Sequence, residues 1–446
     1  MGVMPVKQLI INMSVPMMIS MIVQAMYNIV DSIFVARLSE DALAAVSLAY
    51  PMQNLMIAFS SGTGVGINAI LSRALGERDF KHSDCAANNG ILLNLFNVLI
   101  FVMIGIFGAG PFMTAMSSSE AIREYGTVYL RIISTLSLGL FMQVTFERLL
   151  QSTGKTVGSM ISQMTGAIIN IIFDPIMIFG LCGFPKLGVA GAAYATCLGQ
   201  TVAATLGLIL NLKTNKEIHF SLASVFHPDI QTVKKIYIVG VPSILMMSIG
   251  SVMTAGMNLI LKVFSSTAQA VFGVYFKLQS FFFMPIFGLN SGIIPILAFN
   301  YGARKKKRID EALAFALKLA VCIMLLGTLC FELFPKQLLS LFDASSDMLA
   351  IGIPALRIIG VHFPIAACCI ILGSTFQAFS KSTYSLIVSL CRQLIVLLPV
   401  AWIFAQCGSL NLVWLSFPIA EVMSLAVTII CFRKLYRDII SKLDEA

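Results

Sequence analysis

Long apolar runs alternate with short polar breaks along the whole chain, and the runs are helix-length, not strand-length. A helix that crosses a bilayer needs about 20 mostly apolar residues. Reading the runs between charged or Pro/Gly-rich breaks predicts twelve such helices, at 13–36, 48–72, 85–108, 125–150, 157–180, 188–212, 238–262, 270–298, 312–334, 350–378, 383–405 and 410–432. The pattern also repeats. Pro16 and Pro242, Gly76 and Gly302, Arg78 and Arg304, Asp84 and Asp310, Gln151 and Gln377, and Lys155 and Lys381 are all 226 positions apart, as are Arg131-Ile132-Ile133 and Arg357-Ile358-Ile359. This spacing predicts a duplication. Six spans per half is an even number, so both halves enter the membrane from the same side and the repeats are parallel. The expected fold is all-α and integral to the membrane. It has an N-terminal lobe at 1–212, a polar linker at 213–237 and a C-terminal lobe with a short tail at 238–446.

Composition strengthens this picture. Hydrophobic residues make up 58% of the chain and charged residues 11%, with a mean hydropathy of +0.90; a soluble domain carries roughly 25% charged residues. The charges that remain are unevenly placed. One set of loops holds 19 Lys and Arg, among them Lys7, Arg78, Lys216 and Arg304–Arg308, while the opposite set holds only Arg37, Arg123, Lys186, Lys262 and Lys336. Positive loops stay inside, so both termini are expected in the cytoplasm and the protein in the inner (cytoplasmic) membrane. The net charge of +9 then reflects insertion, with no nucleic acid as partner. The first apolar run is too long for a cleavable signal and lacks a small-residue cleavage site. The ten cysteines form no CxxC or Cys/His cluster and read as packing residues, not a metal framework.

Few ionisable residues fall inside the spans, and such residues are functional candidates because they are costly there. Gln24, Asn28 and Asp31 are spaced i, i+4, i+7, one polar stripe on the first helix. Asn170 and Asp174 are spaced i, i+4, with Gln163 a heptad earlier, a matching stripe on the fifth. Asp31 and Asp174 each lie six residues from the outer helix end, roughly 9 Å deep, and Thr196 reaches a similar depth on the sixth. Oxygen-rich groups of this kind suit Na⁺, and a close carboxylate pair suits H⁺; both ions stay open. Pro175 leaves the Ile171 carbonyl without its helical donor. At the +226 positions Asp31 becomes Met257 and Asp174 becomes Val400, so the expected chemistry lies in the first half alone. Glu147 and Arg148 read as a pair, His362 as a packing residue, and Glu421 as isolated unless Arg392 reaches it. The 24 methionines fit an adaptable surface for varied apolar ligands.

Several motifs resemble the multidrug and toxic compound extrusion (MATE) family over essentially the whole chain. They are Tyr27-Asn-Ile-Val-Asp31, Leu75-Gly-Glu-Arg-Asp79, Gln151-Ser-Thr-Gly-Lys155, Asn170-Ile-Ile-Phe-Asp174-Pro175 and Gly188-Val-Ala-Gly-Ala-Ala-Tyr-Ala-Thr196. They match the DinF-like branch, which includes MepA-type pumps. The resemblance implies the MATE fold and a cation site at Asp31, Asn170, Asp174 and Thr196. It also implies that Gln24 and Asn28 line a substrate cavity and that Pro16 lets the first helix bend; Tyr27 and Gln163 are expected in the same cavity, and Pro175 as a second hinge. The implied activity is antiport without a cofactor: inward H⁺ or Na⁺ drives export of amphipathic, often cationic drugs by alternating access, with no enzymatic step. The expected partners are those drugs and the lipid bilayer, the expected state a monomer. The rival is a lipid-linked saccharide flippase of the same superfamily. Flippases often carry fourteen helices and a cationic cavity, whereas no basic cluster marks a central site here.

The charge bias makes the topology testable. In a background freed of native cysteines, Lys305→Cys and Lys216→Cys are expected to label only from the cytoplasm, and Lys186→Cys and Lys336→Cys only from outside. Reaction of Lys305→Cys with impermeant reagent outside intact cells would end the parallel-repeat assignment.

Overall fold

Ser39 opens a helix by accepting a hydrogen bond from the Ala42 amide (3.0 Å), and Ser265 does the same for Ala268 (3.0 Å). Serine is suited to this N-cap role because its hydroxyl satisfies an amide with no intrahelical partner. The two caps are 226 positions apart, and the helices they open are equivalent throughout. The computed structural model describes residues 1–342 and 344–444.

The first repeat runs through α1 (Val6–Ala36), α2 (Glu40–Gly76), α3 (Phe80–Met103), a π-turn at Ile104–Gly108, α4 (Ala109–Met116), α5 (Glu120–Thr135), α6 (Leu138–Ser152), α7 (Thr156–Phe179) and α8 (Val189–Thr214). A short α9 (Leu222–Phe226) follows. The second repeat runs through α10 (Ile230–Lys262), α11 (Ser266–Gly302), α12 (Lys306–Leu333), α13 (Pro335–Ser340), α14 (Ser346–Gly360), α15 (Phe363–Ala378), α16 (Ser382–Leu390), a π-turn at Cys391–Leu397, α17 (Leu398–Gln406) and α18 (Leu410–Asp438). Among the described residues there are no strands. Within the described residues, ten helices are long and apolar enough to cross a membrane, and up to twelve spans result when each of two bent pairs counts as one.

Those bends depart from the sequence expectation of continuous helices at 125–150 and 350–378. α5 meets α6 at 46°, and α14 meets α15 at 46°. In the second repeat Pro364 sits in the first turn of α15 and cannot donate to the preceding turn. In the first repeat no proline is present. Instead the chain tightens through Ser137 N to Ser134 O (3.4 Å).

Two compact units emerge, and they cut across the repeats. One comprises Met1–Met18 with Leu245–Ala446, the other Ile19–Ile244. The cuts at 18 and 244 are themselves 226 apart, each two residues beyond a helix-internal proline, Pro16 in α1 and Pro242 in α10. The start of each repeat's first helix therefore belongs with the other repeat. In the unit containing Leu245–Ala446, a Cβ on Gly288 of α11 would lie 2.5 Å from Met18 Cα, and one on Gly292 would lie 2.6 Å from Ser14 Oγ. In the unit Ile19–Ile244, a Cβ on Gly62 of α2 would lie 2.9 Å from Ile244 N, and one on Gly66 would lie 2.4 Å from Ile236 O. Glycine is required at these crossings because backbone meets backbone.

The predicted linker at 213–237 overlaps the ends of α8 and α10, and its middle is fastened to the unit Ile19–Ile244. His219 N donates to Asp84 Oδ1 (2.8 Å), Asn88 Nδ2 donates to His219 O (3.1 Å), and Lys155 Nζ pairs with Glu217 Oε2 (2.6 Å). Asp229 caps α10 by accepting from Thr232 Oγ1 (2.6 Å) and N (3.0 Å), and these bonds hold its carboxyl below the ordinary range. In the other unit, Arg308 Nη2 donates to the carbonyls of Met1 (2.8 Å) and Met4 (2.7 Å), and Lys305 Nζ donates to Gly2 O (2.9 Å).

The glycine crossings yield a prediction. Gly62→Ala and Gly288→Ala should each lower the melting temperature in detergent, by the roughly 1–3 kcal/mol typical of overpacking or more. Gly110→Ala, where a new Cβ meets nothing within 4 Å, should leave it unchanged or raise it.

Candidate cation site in the unit Ile19–Ile244

The cluster is assembled by a tight hairpin. Gly180 ends α7 with φ 73° and Gly188 precedes α8 with φ 58°, left-handed values that favour glycine. Leu187 N and Gly188 N then return to Met177 O (3.0 Å) and Ile178 O (3.1 Å). Further in, a Cβ on Gly199 would lie 2.6 Å from Gly166 O, and one on Gly166 would lie 2.9 Å from Ala203 Cβ. This close contact brings Asn170 of α7 beside Thr196 of α8.

Asn170, Asp174 and Thr196 are all buried, Asp174 completely. With its amide turned toward the acid, Asn170 donates to Asp174 Oδ2 (3.1 Å) and accepts from both the Thr196 hydroxyl and the Thr196 amide (3.2 Å each). The Asp31 carboxyl of α1 lies near enough to the Asp174 carboxyl for the two to interact electrostatically, and Asp31 Oδ1 is buried without a hydrogen-bond partner. Tyr27 lies close enough to feel the charge of both acids. A second polar contact extends along the same two helices: Gln163 Nε2 donates to Gln24 Oε1 (2.6 Å), while Gln163 Oε1 has no partner.

Seven of the eight residues singled out in the sequence thus fall along one α1–α7–α8 seam. The eighth, Asn28, is exposed. α1 and α7 continue as α-helix through Pro16 and Pro175. Glu147 and Arg148 do not pair as expected: Gln143 Nε2 donates to Glu147 Oε1 (2.9 Å), and Arg148 Nη1 donates to Gln151 Oε1 (2.9 Å). Adjacent helical residues point about 100° apart, so each reaches along its own face instead.

The sequence reading missed Tyr129 of α5. It is 2% exposed, donates to Gln53 Oε1 (3.3 Å), and lies in electrostatic range of Asp31 and Asp174. The repeat carried the signal: Tyr129 corresponds to Ala355, the same loss of polarity that marks Asp31 and Asp174. Chemically, the cluster offers two carboxyls, one with an unpartnered oxygen, together with an amide and a hydroxyl. Such a set suits a hard cation or a proton. Among the described residues no group of three or more His, Cys, Asp or Glu side chains is arranged to hold a metal ion.

The MatE family profile matches this chain twice, over residues 16–176 and 242–403, once per repeat. The chain belongs to the MatE family. It is accordingly a multi-pass membrane transporter and not an enzyme. This MatE protein is 26% identical over 423 residues to a FAD transporter of Shewanella oneidensis, covering 94% of this chain and 92% of that one. It is 26% identical over 415 residues to the multidrug export protein MepA of Staphylococcus haemolyticus, covering 92% and 90%. It superimposes on the outward-facing conformation of a multidrug resistance MATE family transporter with a TM-score of 0.91 and 27% identity, covering 99% and 97%.

Because the cluster is a buried network, its members should behave differently from Asn28. Asn170→Leu in this MatE protein should cost about 1–3 kcal/mol, the penalty for stranding buried polar groups. Asn28→Ala should stay within about 0.5 kcal/mol, as exposed positions do. Thermal melts in detergent read both.

Proposed function

We propose that this chain is a cation-coupled multidrug efflux antiporter. It takes in H⁺ or Na⁺ and exports amphipathic, often cationic compounds by alternating access, as a monomer in the cytoplasmic membrane with both termini inside. The observation that carries this reading is the acid pair of α1 and α7. Two neighbouring carboxylates repel when both are ionised, and a proton or cation between them removes the repulsion. The pair has no basic partner among the described residues, and its positions in the second repeat are Met257 and Val400. One cluster therefore handles the ion, and its occupancy favours one conformation over another by differential affinity. Gln24, Tyr27, Asn28 and Gln163 are assigned to the substrate cavity, and Pro16 and Pro175 to hinge motion.

The FAD transporter among the relatives favours a second reading of the cargo, as a flavin nucleotide, with the coupling unchanged.

Proteoliposomes with separately imposed pH and Na⁺ gradients, loaded with ethidium or with FAD, test the proposal. Gradient-driven export of ethidium is expected, and Asp31→Asn and Asp174→Asn should each abolish it while melting like wild type. Wild-type export in either variant sinks the coupling site. FAD export without ethidium export replaces the cargo class. Polar substitution at Met257 or Val400 should leave the ion-to-drug ratio unchanged.

A further inference from the structure

The unit containing Leu245–Ala446 lacks the acid pair but buries a charged group of its own. Glu421 of α18 is 4% exposed and His362, at the bend before α15, is 5% exposed. Arg392 Nη1 lies 3.5 Å from each Glu421 carboxylate oxygen, His362 Nδ1 lies 3.7 Å from Glu421 Oε2, and His362 Nε2 lies 3.4 Å from Tyr275 Oη. Charge-assisted bonds close to about 2.7–2.9 Å when geometry allows, so every contact in this group is slack. His362 Nδ1 is buried without a hydrogen-bond partner. Of the guanidinium's several N–H donors, only those on Nη1 reach a side chain among the described residues.

Space adjoins these unspent groups. A half-open cavity of ≈ 160 Å³ is lined by Arg392, Glu421 and His362, by the amides of Gln279 and Gln393, and by Tyr275, Phe283, Phe287 and Phe417. Two departures from regular helix shape it. His362 sits at the 46° bend, and Arg392 and Gln393 ride on the π-turn Cys391–Leu397. Single π-turns inside α-helices are uncommon and concentrate at functional sites. The equivalent stretch of α7 is ordinary α-helix. There Arg392 is replaced by Gly166, Glu421 by Ala195 and His362 by Leu136, and Gly166 lets α7 close onto α8. The first repeat fills this place by helix contact, whereas the second holds it open with a charge pair.

The lining indicates what fits. A cavity near 150 Å³ holds one benzene-sized ring, and the aromatic walls offer edge and face contacts to it. Arg392 and Glu421 cancel each other's charge. A guest with net charge would leave that charge uncompensated in a low-dielectric site, which is costly; a guest bearing one charge of each sign would not. We propose that this cavity is a second ligand site, taking a single-ring aromatic zwitterion with its carboxylate on Arg392 and its ammonium on Glu421. It is separate from the cation cluster and independent of the transport reading.

Binding to the purified full chain in detergent, by titration calorimetry, tests this with phenylalanine, benzoate and benzylamine as probes. Wild type should bind phenylalanine at least about tenfold tighter than the two singly charged probes. Arg392→Gln leaves Glu421 alone and should shift preference to benzylamine, while Glu421→Gln should shift it to benzoate. A merely structural ion pair would not reverse the sign of the preferred ligand. The double variant Arg392→Gln with Glu421→Gln removes both charges, keeps the shape and leaves no lone ion. It should melt like wild type, and its phenylalanine preference should vanish, even if the single variants do not fold. Binding of none of the probes by wild type, benzoate binding as tight as that of phenylalanine, or a preference retained in the double variant would each overturn the site.

Discussion

Backbone meeting backbone at glycine is the contact on which this architecture depends. Gly288 and Gly292 of α11 receive Met18 and Ser14, and Gly62 and Gly66 of α2 receive Ile244 and Ile236. Inside a bilayer, lipid tails are as apolar as leucine, so helices gain little by hiding apolar side chains from lipid. Close approach through small residues and the dispersion it gathers do the holding instead. These contacts anchor the opening of each repeat's first helix in the unit formed mainly by the other repeat. α1 is thus fixed at its start in one unit, and its later turns deliver Gln24, Tyr27 and Asp31 to the other.

On this shared frame the two repeats have diverged in chemistry. The unit Ile19–Ile244 is knit by buried amides: Asn94 to Thr145 (2.7 Å), Asn97 to Thr63 (3.2 Å), Ser152 to Asn68 (2.9 Å) and Asn211 to the Phe146 carbonyl (2.9 Å). The unit containing Leu245–Ala446 packs aromatic rings instead. Phe331 and Phe363 lie 5.0 Å apart, Phe283 meets Phe363 edge-on at 5.3 Å, and Trp414 stacks on Phe272 at 6.5 Å. Amides fix helix register by directional bonds, whereas rings tolerate several offset geometries at similar energy.

Apolar run lengths and the 226-residue spacing made the span count and the duplication legible, because both are properties of sequence alone. The acid cluster was legible because helical spacing puts Asp31 with Gln24, and Asp174 with Asn170. Spacing reports a face, however, and not the neighbour it meets. At about 100° per residue, Asn28 lies roughly 60° round the helix from Asp31, while Tyr27 lies about 40° to the other side. Asn28 is exposed, whereas Tyr27 lies in electrostatic range of both acids. The bend at Leu136 and Ser137 had no proline to announce it. The exchange of helix openings between units was hidden for a deeper reason: it is decided by which glycine ridge a helix meets, and no local pattern encodes that.

The two buried charge groups also differ in how each is balanced. The acids of α1 and α7 have the same sign, and uncharged groups bond only one of them: Asp174 takes the Asn170 amide directly and the Thr196 hydroxyl through that amide, while Asp31 Oδ1 is left without a partner. Charge there is left over beside an unpartnered oxygen, so what completes the cluster is a positive ion from outside. Arg392 and Glu421 are the reverse case. Their charges close to zero while their contacts at 3.5 Å fall short of good hydrogen-bond length, so what completes them is a guest that supplies geometry without adding net charge. Burial penalises an unbalanced charge far more than a stretched bond. The acid pair is accordingly held in regular helix with its amide and hydroxyl aligned, and the ion pair can afford the irregular backbone of a bend and a π-turn.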